Sequence, residues 1–127
     1  MSVNILIVDD SAVMRSMIKK TIINSGVDVG EILEAANGKD GLELLETNWL
    51  DILFIDVNMP IMDGMEMLDE VRKKSETSDI PILIVSTESN HDRIEIIKNK
   101  NAGFVHKPFT PEILRERILE ALGVFEK

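Results

Sequence analysis

The sequence contains no cysteine and only two histidines, and these shortages exclude several classes of site. Without cysteine there is no disulfide framework, no thiol nucleophile and no thiolate metal site. His91 and His106 cannot alone make a typical zinc site. No stretch approaches the ~18 consecutive apolar residues of a transmembrane helix, and the first residues lack the basic and apolar regions of a signal peptide. We therefore expect a cytoplasmic protein that does not enter the membrane.

Positive charge is also scarce, because 14 Lys+Arg stand against 23 Asp+Glu and give a net charge of −9. Such an excess argues against non-specific binding to nucleic acid and to anionic membrane surfaces. A composition of 44% hydrophobic and 29% charged residues is typical of a globular domain. We expect residues 1–127 to form one domain, with no linker and no output domain.

Short apolar runs alternate along the chain with longer amphipathic stretches. Runs rich in β-branched side chains and apolar on both faces are typical of the buried strands of a parallel sheet. The second and fifth runs are shorter and suit positions nearer the edges of the sheet. The five runs are residues 5–8, 32–33, 52–55, 82–85 and 104–105.

Between these runs, apolar side chains recur at three- and four-residue steps, the spacing of amphipathic helices. Val13, Met14, Met17, Ile18 and Ile22 form one such stripe. Helix starts are signalled at four potential N-caps, which are Asn37, Asp63, Ser89 and Thr110. The pattern predicts five βα units, hence an open parallel sheet with helices on both faces rather than the eight-fold barrel.

Polar side chains stand directly after the predicted strands. Asp9 and Asp10 follow the first apolar run, Asp56 the third, Ser86 the fourth and Lys107 comes just after the fifth. Because parallel strands all end at the same edge of a sheet, these side chains are expected to meet there.

Three clustered carboxylates repel one another unless a cation compensates, and oxygen ligands favour Mg²⁺. With a lysine and a hydroxyl nearby, such a set could place a phosphoryl group on a carboxylate. Each residue also has a simpler explanation. Asp10 or Ser11 could cap a helix, the segment after Asp56 could be a polar turn, and Lys107 could be a solvated surface residue.

Four motifs closely resemble those of the receiver domain of bacterial two-component response regulators. They occur in the family's order and span essentially the whole chain. The motifs are LIVDDS at 6–11, IDVNMPIMDG at 55–64, ILIVST at 82–87 and GFVHKPFT at 103–110. The resemblance implies a flavodoxin-like (βα)5 fold of strand order 2-1-3-4-5.

The resemblance also implies roles for the residues at the strand ends. Asp56 would accept a phosphoryl group from a phosphohistidine on a partner histidine kinase. Mg²⁺ would be held by Asp9, Asp10, Asp56 and the main-chain carbonyl of Asn58. Lys107 would contact the aspartyl phosphate, and its peptide bond to the following proline would be cis.

A second group of residues would carry the switch. Ser86 would move inward to bond the phosphoryl group, and Phe104 would turn inward in response. The family more often has Thr and Tyr at these two positions. The polar pair Asn58 and Glu88 would flank the phosphoryl group, which in the family accompanies a phosphoprotein lifetime of minutes or less.

A receiver without an output domain would signal through protein contacts, as a monomer and not as a turnover enzyme. The segment 10–15 resembles chemotaxis regulators of the CheY type, which take phosphate from a CheA-like kinase and bind a flagellar motor switch. A phosphorelay intermediate served by a histidine phosphotransfer protein is the alternative. A dedicated phosphatase is a further possible partner.

Three other functions fit less well. A Mg²⁺-dependent phosphatase with an aspartyl nucleophile would want a second Asp where Asn58 stands. An FMN carrier of the same fold would need a phosphate-cradling loop where Asp9 and Asp10 stand. A pseudo-receiver would lack some of the five strand-end residues that are all present here.

Overall fold

The structure is a computed structural model that describes residues 2–57, 62–87 and 90–123. The strands are β1 (Val3–Val8), β2 (Val29–Ala35), β3 (Ile52–Asp56), β4 (Ile82–Ser86) and β5 (Gly103–His106). The helices are α1 (Ala12–Asn24), α2 (Gly38–Thr47), α3 (Gly64–Lys73), α4 (His91–Asn99) and α5 (Pro111–Ala121). The predicted alternation of strands and helices is therefore confirmed. No helix within the described ranges is long and apolar enough to cross a membrane.

The five strands form one parallel sheet of order β2-β1-β3-β4-β5. This order confirms the flavodoxin-like fold, and it places the two shorter apolar runs at the edges. Val8 pairs with Ile55 and Asp56 pairs with Val85, so β1, β3 and β4 end at nearly the same level. The residues that follow these strands therefore start from one edge of the sheet.

The sheet separates two hydrophobic cores, because successive side chains of a strand point to opposite faces. In β3, Leu53 and Ile55 belong to one core, and Ile52 and Phe54 belong to the other. The first core also contains Val71 of α3 and Ile97 of α4, and the second contains side chains of α1 and α5. This division explains why the central runs are apolar at every position.

Side-chain caps fix the starts of the helices, and one cap differs from the prediction. Asn37, Asp63 and Thr110 cap α2, α3 and α5 as expected. Ser11 caps α1 by accepting a hydrogen bond from the backbone N–H of Met14, so the simple capping role is correct for Ser11. Helix α4 is capped by Asn90, which immediately precedes His91, and not by Ser89. Asn is as strong an N-cap as Ser, and Ser89 itself lies outside the described residues.

The apolar stripe predicted for α1 is buried only in part. Ile18 and Ile22 are buried in the second core. Val13 and Met17, by contrast, are 72% and 54% exposed. The two pairs lie in different i,i+4 rows of the helix, and only the row of Ile18 and Ile22 faces the sheet. Helix α1 therefore carries apolar side chains on its solvent face, next to its N-terminus.

Candidate functional site

The structure brings the three predicted carboxylates together at the carboxyl edge of the sheet. Asp9 and Asp10 follow β1, and Asp56 is the last residue of β3. One carboxylate oxygen from each lies within 4.8 Å of the others. Asp9 is buried, Asp56 is half-buried and Asp10 is exposed. The cluster therefore opens to solvent on the side of Asp10.

Lys107 completes the cluster from the end of β5. Its Nζ lies 3.5 Å from Asp56 Oδ1 and 4.0 Å from Asp9 Oδ2. Its side chain is 18% exposed, so it is not the solvated surface lysine of the simpler explanation. Its backbone N–H donates a hydrogen bond to Ser86 O at 2.8 Å, which holds it against the end of β4. The peptide bond between Lys107 and Pro108 is cis, as expected.

Asp9 is the most constrained carboxylate of the site. Its Oδ1 accepts a hydrogen bond from the backbone N–H of Ser11 at 2.9 Å. Its Oδ2 is buried, and among the described residues no group donates a hydrogen bond to it. Burial raises the pKa of Asp9, and the negative charges of Asp56 and Asp10 raise it further. The Ser11 N–H and the Lys107 charge oppose this rise without cancelling it.

These features fit a hard divalent cation. A buried carboxylate oxygen without a hydrogen-bond donor is costly, and a cation bound to it would reduce the cost. Three carboxylates are the oxygen donors that Mg²⁺ prefers. Asp9, Asp10 and Asp56 are therefore the described residues that could hold the ion. Asn58, predicted to add its main-chain carbonyl, lies outside the described residues.

The predicted switch residues lie on the two strands next to the cluster. Ser86 ends β4 and is 5% exposed. Phe104 in β5 is half-buried and packs against the core formed with α4. Its ring centroid lies 6.2 Å from that of His106. Glu88, predicted to influence the phosphate lifetime together with Asn58, lies outside the described residues, as Asn58 does.

Comparison with known proteins identifies the family. The sequence profile described as "Response regulator receiver domain" matches residues 5–119. The chain belongs to the response regulator receiver-domain family. It is 39% identical to the chemotaxis protein CheY homolog of Campylobacter jejuni over 123 residues, covering 94% of this chain and 92% of that protein.

Two further comparisons agree with this assignment. The chemotaxis protein CheY of Pseudomonas aeruginosa is 37% identical over 90% of this chain and 91% of its own length. The solved structure of the chemotaxis response regulator CheY4 of Vibrio cholerae superposes with a TM-score of 0.84 at 33% identity, covering 96% of this chain and all of that one. Receiver domains bind Mg²⁺ in an acidic pocket, and this one has the aspartate cluster. Relatives of the CheY type suggest a role in chemotaxis.

Arg15 also supports the receiver site, although sequence analysis assigned it no role. Its Nη1 donates to the main-chain carbonyl of Asp9 at 2.7 Å, and its Nε donates to Glu34 Oε1 at 3.0 Å. Arg15 thereby ties the end of β1 to the edge strand β2. The position of a lysine or arginine in the second turn of a helix does not by itself indicate such a contact.

Gly64 is the second supporting residue without an assigned role. It starts α3 directly beneath the end of β3, and its N–H donates to Val57 O at 2.9 Å. A Cβ added here would lie 2.2 Å from Asp56 O and 2.8 Å from Val57 Cα. Gly64 is therefore required by the close approach of two backbone segments. The sequence marked it as part of a family motif, but the reason is visible only in three dimensions.

We expect the Asp9→Asn variant to be more stable than the wild type in EDTA. The raised pKa means that folding disfavours the charged Asp9 carboxylate at neutral pH, and Asn keeps an acceptor for the Ser11 N–H. The melting temperature of the variant in EDTA should therefore be measurably higher than that of the wild type.

The same melting curves also test metal binding. Millimolar Mg²⁺ should raise the melting temperature of the wild type more than that of the variant, because a ligand stabilises the state that binds it. In EDTA, lowering the pH towards the raised Asp9 pKa should reduce the difference in melting temperature between the variant and the wild type, because Asp9 becomes protonated and loses its charge. A variant that is equally stable, or less stable, in EDTA would contradict a strained Asp9.

We expect the Gly64→Ala variant to be impaired in both stability and phosphorylation. The added methyl group collides with backbone atoms, which cannot rotate away, so the end of β3 must shift. Such overpacking costs about 1–3 kcal/mol. A displaced Asp56 should accept phosphate at least roughly tenfold more slowly, because phosphoryl transfer depends on positioning.

The Gly103→Ala variant is the matched control for this substitution. Its added methyl group would lie 2.6 Å from Leu83 Cδ2, which is the end of a flexible side chain. It should therefore cost less stability and leave the phosphorylation rate near that of the wild type. Urea denaturation and the rate of labelling by acetyl phosphate measure both effects, and equal behaviour of the two variants would contradict the argument.

Proposed function

We propose that this receiver domain accepts a phosphoryl group on Asp56 from a phosphohistidine of a histidine kinase, in a reaction that depends on Mg²⁺. The observation that supports this most directly is the position of Lys107. Its Nζ is 3.5 Å from Asp56 Oδ1, on the edge where carboxylate oxygens of Asp9 and Asp10 lie within 4.8 Å. A carboxylate nucleophile thus lies next to a cation and is itself part of a candidate metal site.

The chemistry follows from this arrangement. A carboxylate oxygen of Asp56 forms a bond to phosphorus while the phosphorus–nitrogen bond of the phosphohistidine breaks. The imidazole nitrogen keeps the electron pair and is then neutralised by a proton. Bound Mg²⁺ would neutralise charge on the phosphoryl oxygens. Lys107 supplies a second positive charge beside Asp56, and Ser86 supplies a hydroxyl donor at the end of the neighbouring strand.

Phosphorylation would change the positions of Ser86 and Phe104 and, through them, the surface around β5. An aspartyl phosphate adds charge and acceptor oxygens, which favours the arrangement that satisfies them. Phe104 lines a groove between α4 and α5, together with Ile94, Lys98 and Arg117. A change in the packing of Phe104 would therefore alter a surface that a partner can read. Signalling by contact requires no output domain.

Incubation with acetyl phosphate and Mg²⁺, followed by intact-mass measurement, tests the proposal. We expect the mass of one phosphoryl group to appear with Mg²⁺ and to be absent in excess EDTA. Labelling that persists in EDTA would contradict the role of the metal. A phosphoprotein lifetime of minutes stays a prediction that the decay of the same signal would test.

The exposed face of α1 is the part of the surface on which we expect a kinase to dock. Val13 and Met17 are exposed on the first turns of a helix that starts two residues after Asp9–Asp10. The double variant Val13→Asp/Met17→Asp should lower the kcat/KM of phosphotransfer from a phosphorylated kinase about tenfold or more, as the loss of a central apolar contact does. Labelling by acetyl phosphate, which needs no docking, should be unchanged.

The Ile23→Asp variant is the matched control, because Ile23 is 56% exposed at the far end of α1. It should be phosphorylated by the kinase nearly as well as the wild type. If the double variant and the control behave alike, the kinase docks elsewhere. If acetyl phosphate labelling falls in parallel with phosphotransfer, the substitutions have damaged the site itself.

Within this function we favour a single-domain chemotaxis regulator in the cytoplasm, with a phosphorelay intermediate as the alternative. The similarity to CheY proteins over more than nine-tenths of their length supports the first. Its partners would be a CheA-like kinase and a flagellar motor switch, and autodephosphorylation would end the signal. Co-precipitation of the phosphorylated form with a motor-switch protein, compared with a histidine phosphotransfer protein, distinguishes the two roles.

A further inference from the structure

The tryptophan of this chain is left almost entirely in solvent. Trp49 is the single tryptophan of the sequence and is 84% exposed, more than any other large hydrophobic residue that the structure describes. It lies between α2 and β3, near the amino-terminal end of β3, whereas Asp56 is at the carboxyl end of the same strand. Tryptophan is enriched among the residues that dominate binding energies at protein interfaces. The exposed indole is therefore a candidate contact for a partner.

Trp49 borders a groove between the segment after α2 and the segment after α3. We call this depression, of about 590 Å³, the Trp49 groove. Its apolar lining consists of Leu45, Leu50, Ile80 and Pro81. The volume has room for a short run of side chains rather than for a folded domain. An apolar floor beside an exposed indole is the kind of surface on which an extended peptide segment can lie.

The charged residues of the Trp49 groove are all acidic. They are Glu46, Asp51, Glu76 and Asp79, and no lysine, arginine or histidine lines the groove. Asp51 is engaged in the fold, because its Oδ2 accepts the N–H of Asn4 at 2.8 Å. Glu46 forms an ion pair with Lys74 at 3.2 Å in the adjoining hollow.

Glu76 and Asp79 are therefore the carboxylates most available to a partner, although Lys74 lies in the hollow next to Glu76 and the charge of Asp79 acts on Arg72. Both are exposed, and neither forms an ion pair within the part of the chain that the structure describes. Their charges lie beside an indole ring, whose face attracts cations. The groove thus offers two independent attractions to a positively charged side chain.

We propose that the Trp49 groove binds a segment of a partner protein that carries lysine or arginine next to an apolar side chain. The apolar side chain packs against Leu45 and Ile80, and the cation lies against Trp49 within reach of Glu76 and Asp79. Charge complementarity selects this occupant, because a neutral or acidic segment would leave the acidic rim unpaired.

The position of the groove makes its binding independent of phosphorylation. Strand β3 starts at Ile52 beside the groove and ends at Asp56, and five strand residues span about 17 Å. A partner seated in the groove leaves the acceptor site and the surface around β5 uncovered. The groove would therefore anchor a partner before, during and after phosphorylation, and this inference does not rest on the proposed function.

A short synthetic peptide of lysine and leucine is the probe, and a peptide with glutamate in place of lysine is its control. In amide NMR spectra of the full chain, the lysine peptide should shift residues 45–51 and 75–80, and Trp49 fluorescence should move to shorter wavelength. The glutamate peptide should do neither. The affinity of the chain for the lysine peptide should change less than about twofold after the chain is labelled with acetyl phosphate and Mg²⁺, since no charge in the groove changes.

Matched variants separate a specific groove from the general negative charge. Trp49→Ala and the double reversal Glu76→Lys/Asp79→Lys should each weaken binding about tenfold, as the loss of a central contact or of paired charges does. The double reversal Glu112→Lys/Glu116→Lys on α5 changes the net charge equally and should weaken binding less than about twofold. Circular dichroism shows whether each variant is folded.

Three results would overturn the proposal. Equal weakening by the two double reversals would show that only net charge matters. Amide shifts outside the groove, or none, would place the peptide elsewhere or exclude binding. A concentration-dependent dimer in sedimentation that is lost in Trp49→Ala would assign the groove to a second copy of the chain instead of a basic partner.

Discussion

Replacing Asp56 with asparagine is expected to lower the rate of labelling by acetyl phosphate to less than about one-thousandth of the wild-type rate. The amide of Asn is a far weaker nucleophile than a carboxylate. Among the described residues, Asp9 is the only other carboxylate that lies within 4.0 Å of the Lys107 ammonium. Asp9 cannot substitute for Asp56, because it is buried and its Oδ1 already accepts the Ser11 N–H. Intact mass after incubation with Mg²⁺ measures the loss.

The control is Asp28→Asn, which removes a charge of the same kind from the opposite edge of the sheet. Asp28 precedes β2 and is exposed, so this variant should be labelled like the wild type. The Asp10→Asn variant should lie between the two, because it removes one candidate metal ligand and leaves the nucleophile. Residual labelling of Asp56→Asn above a few per cent would assign the acceptor to another residue.

The Arg72→Met variant is expected to lose about 2–4 kcal/mol of stability, a drop in melting temperature of roughly 10 °C. The Arg72 guanidinium joins α3 to two loops at the far edge of the sheet. It donates to Ile80 O at 2.8 Å, Asn101 O at 2.9 Å and Lys100 O at 3.2 Å. Desolvation lowers the pKa of Arg72, and the charge of Asp79 opposes this shift. Methionine keeps most of the apolar stem and removes all three donors.

Arg117→Met is the corresponding surface substitution. Arg117 lies 3.3 Å from Glu120 on the exposed side of α5, and a pair of this kind contributes about 0–1 kcal/mol. The urea midpoint of Arg72→Met should therefore be clearly lower than that of Arg117→Met. If Arg72→Met costs no more than Arg117→Met, the three carbonyls are satisfied by water and the guanidinium does not hold the loops.

Sequence reasoning predicted the elements that follow from local pattern. Continuous apolar runs predicted the three central strands, because those strands are buried on both faces. The edge strand β2 is longer than its predicted core of residues 32–33, because Glu31 and Glu34 interrupt the apolar run on either side. Strand ends in a parallel sheet share one edge, and for this reason the cluster of Asp9, Asp10, Asp56 and Lys107 could be predicted as well.

Contacts between distant parts of the chain could not be predicted in this way. Arg15 and Arg72 both bond to main-chain carbonyls, and any residue of the chain offers such a carbonyl. The exposure of Val13 and Met17 was missed because periodicity finds apolar rows without showing which row faces the sheet. Sequence analysis assigned Trp49 no role, and only the fold reveals that it lies beside a groove lined with carboxylates.

The groups of the site are synthesised in a fixed order, because they follow different strands along the chain. Asp9, Asp10 and Asp56 come from the first half of the chain, but the lysine that faces them follows β5, the last of the described strands to leave the ribosome. A chain that ended before β5 would carry these three carboxylates without the ammonium group of Lys107. Such fragments would be poor phosphate acceptors, so they would draw little phosphate away from finished molecules.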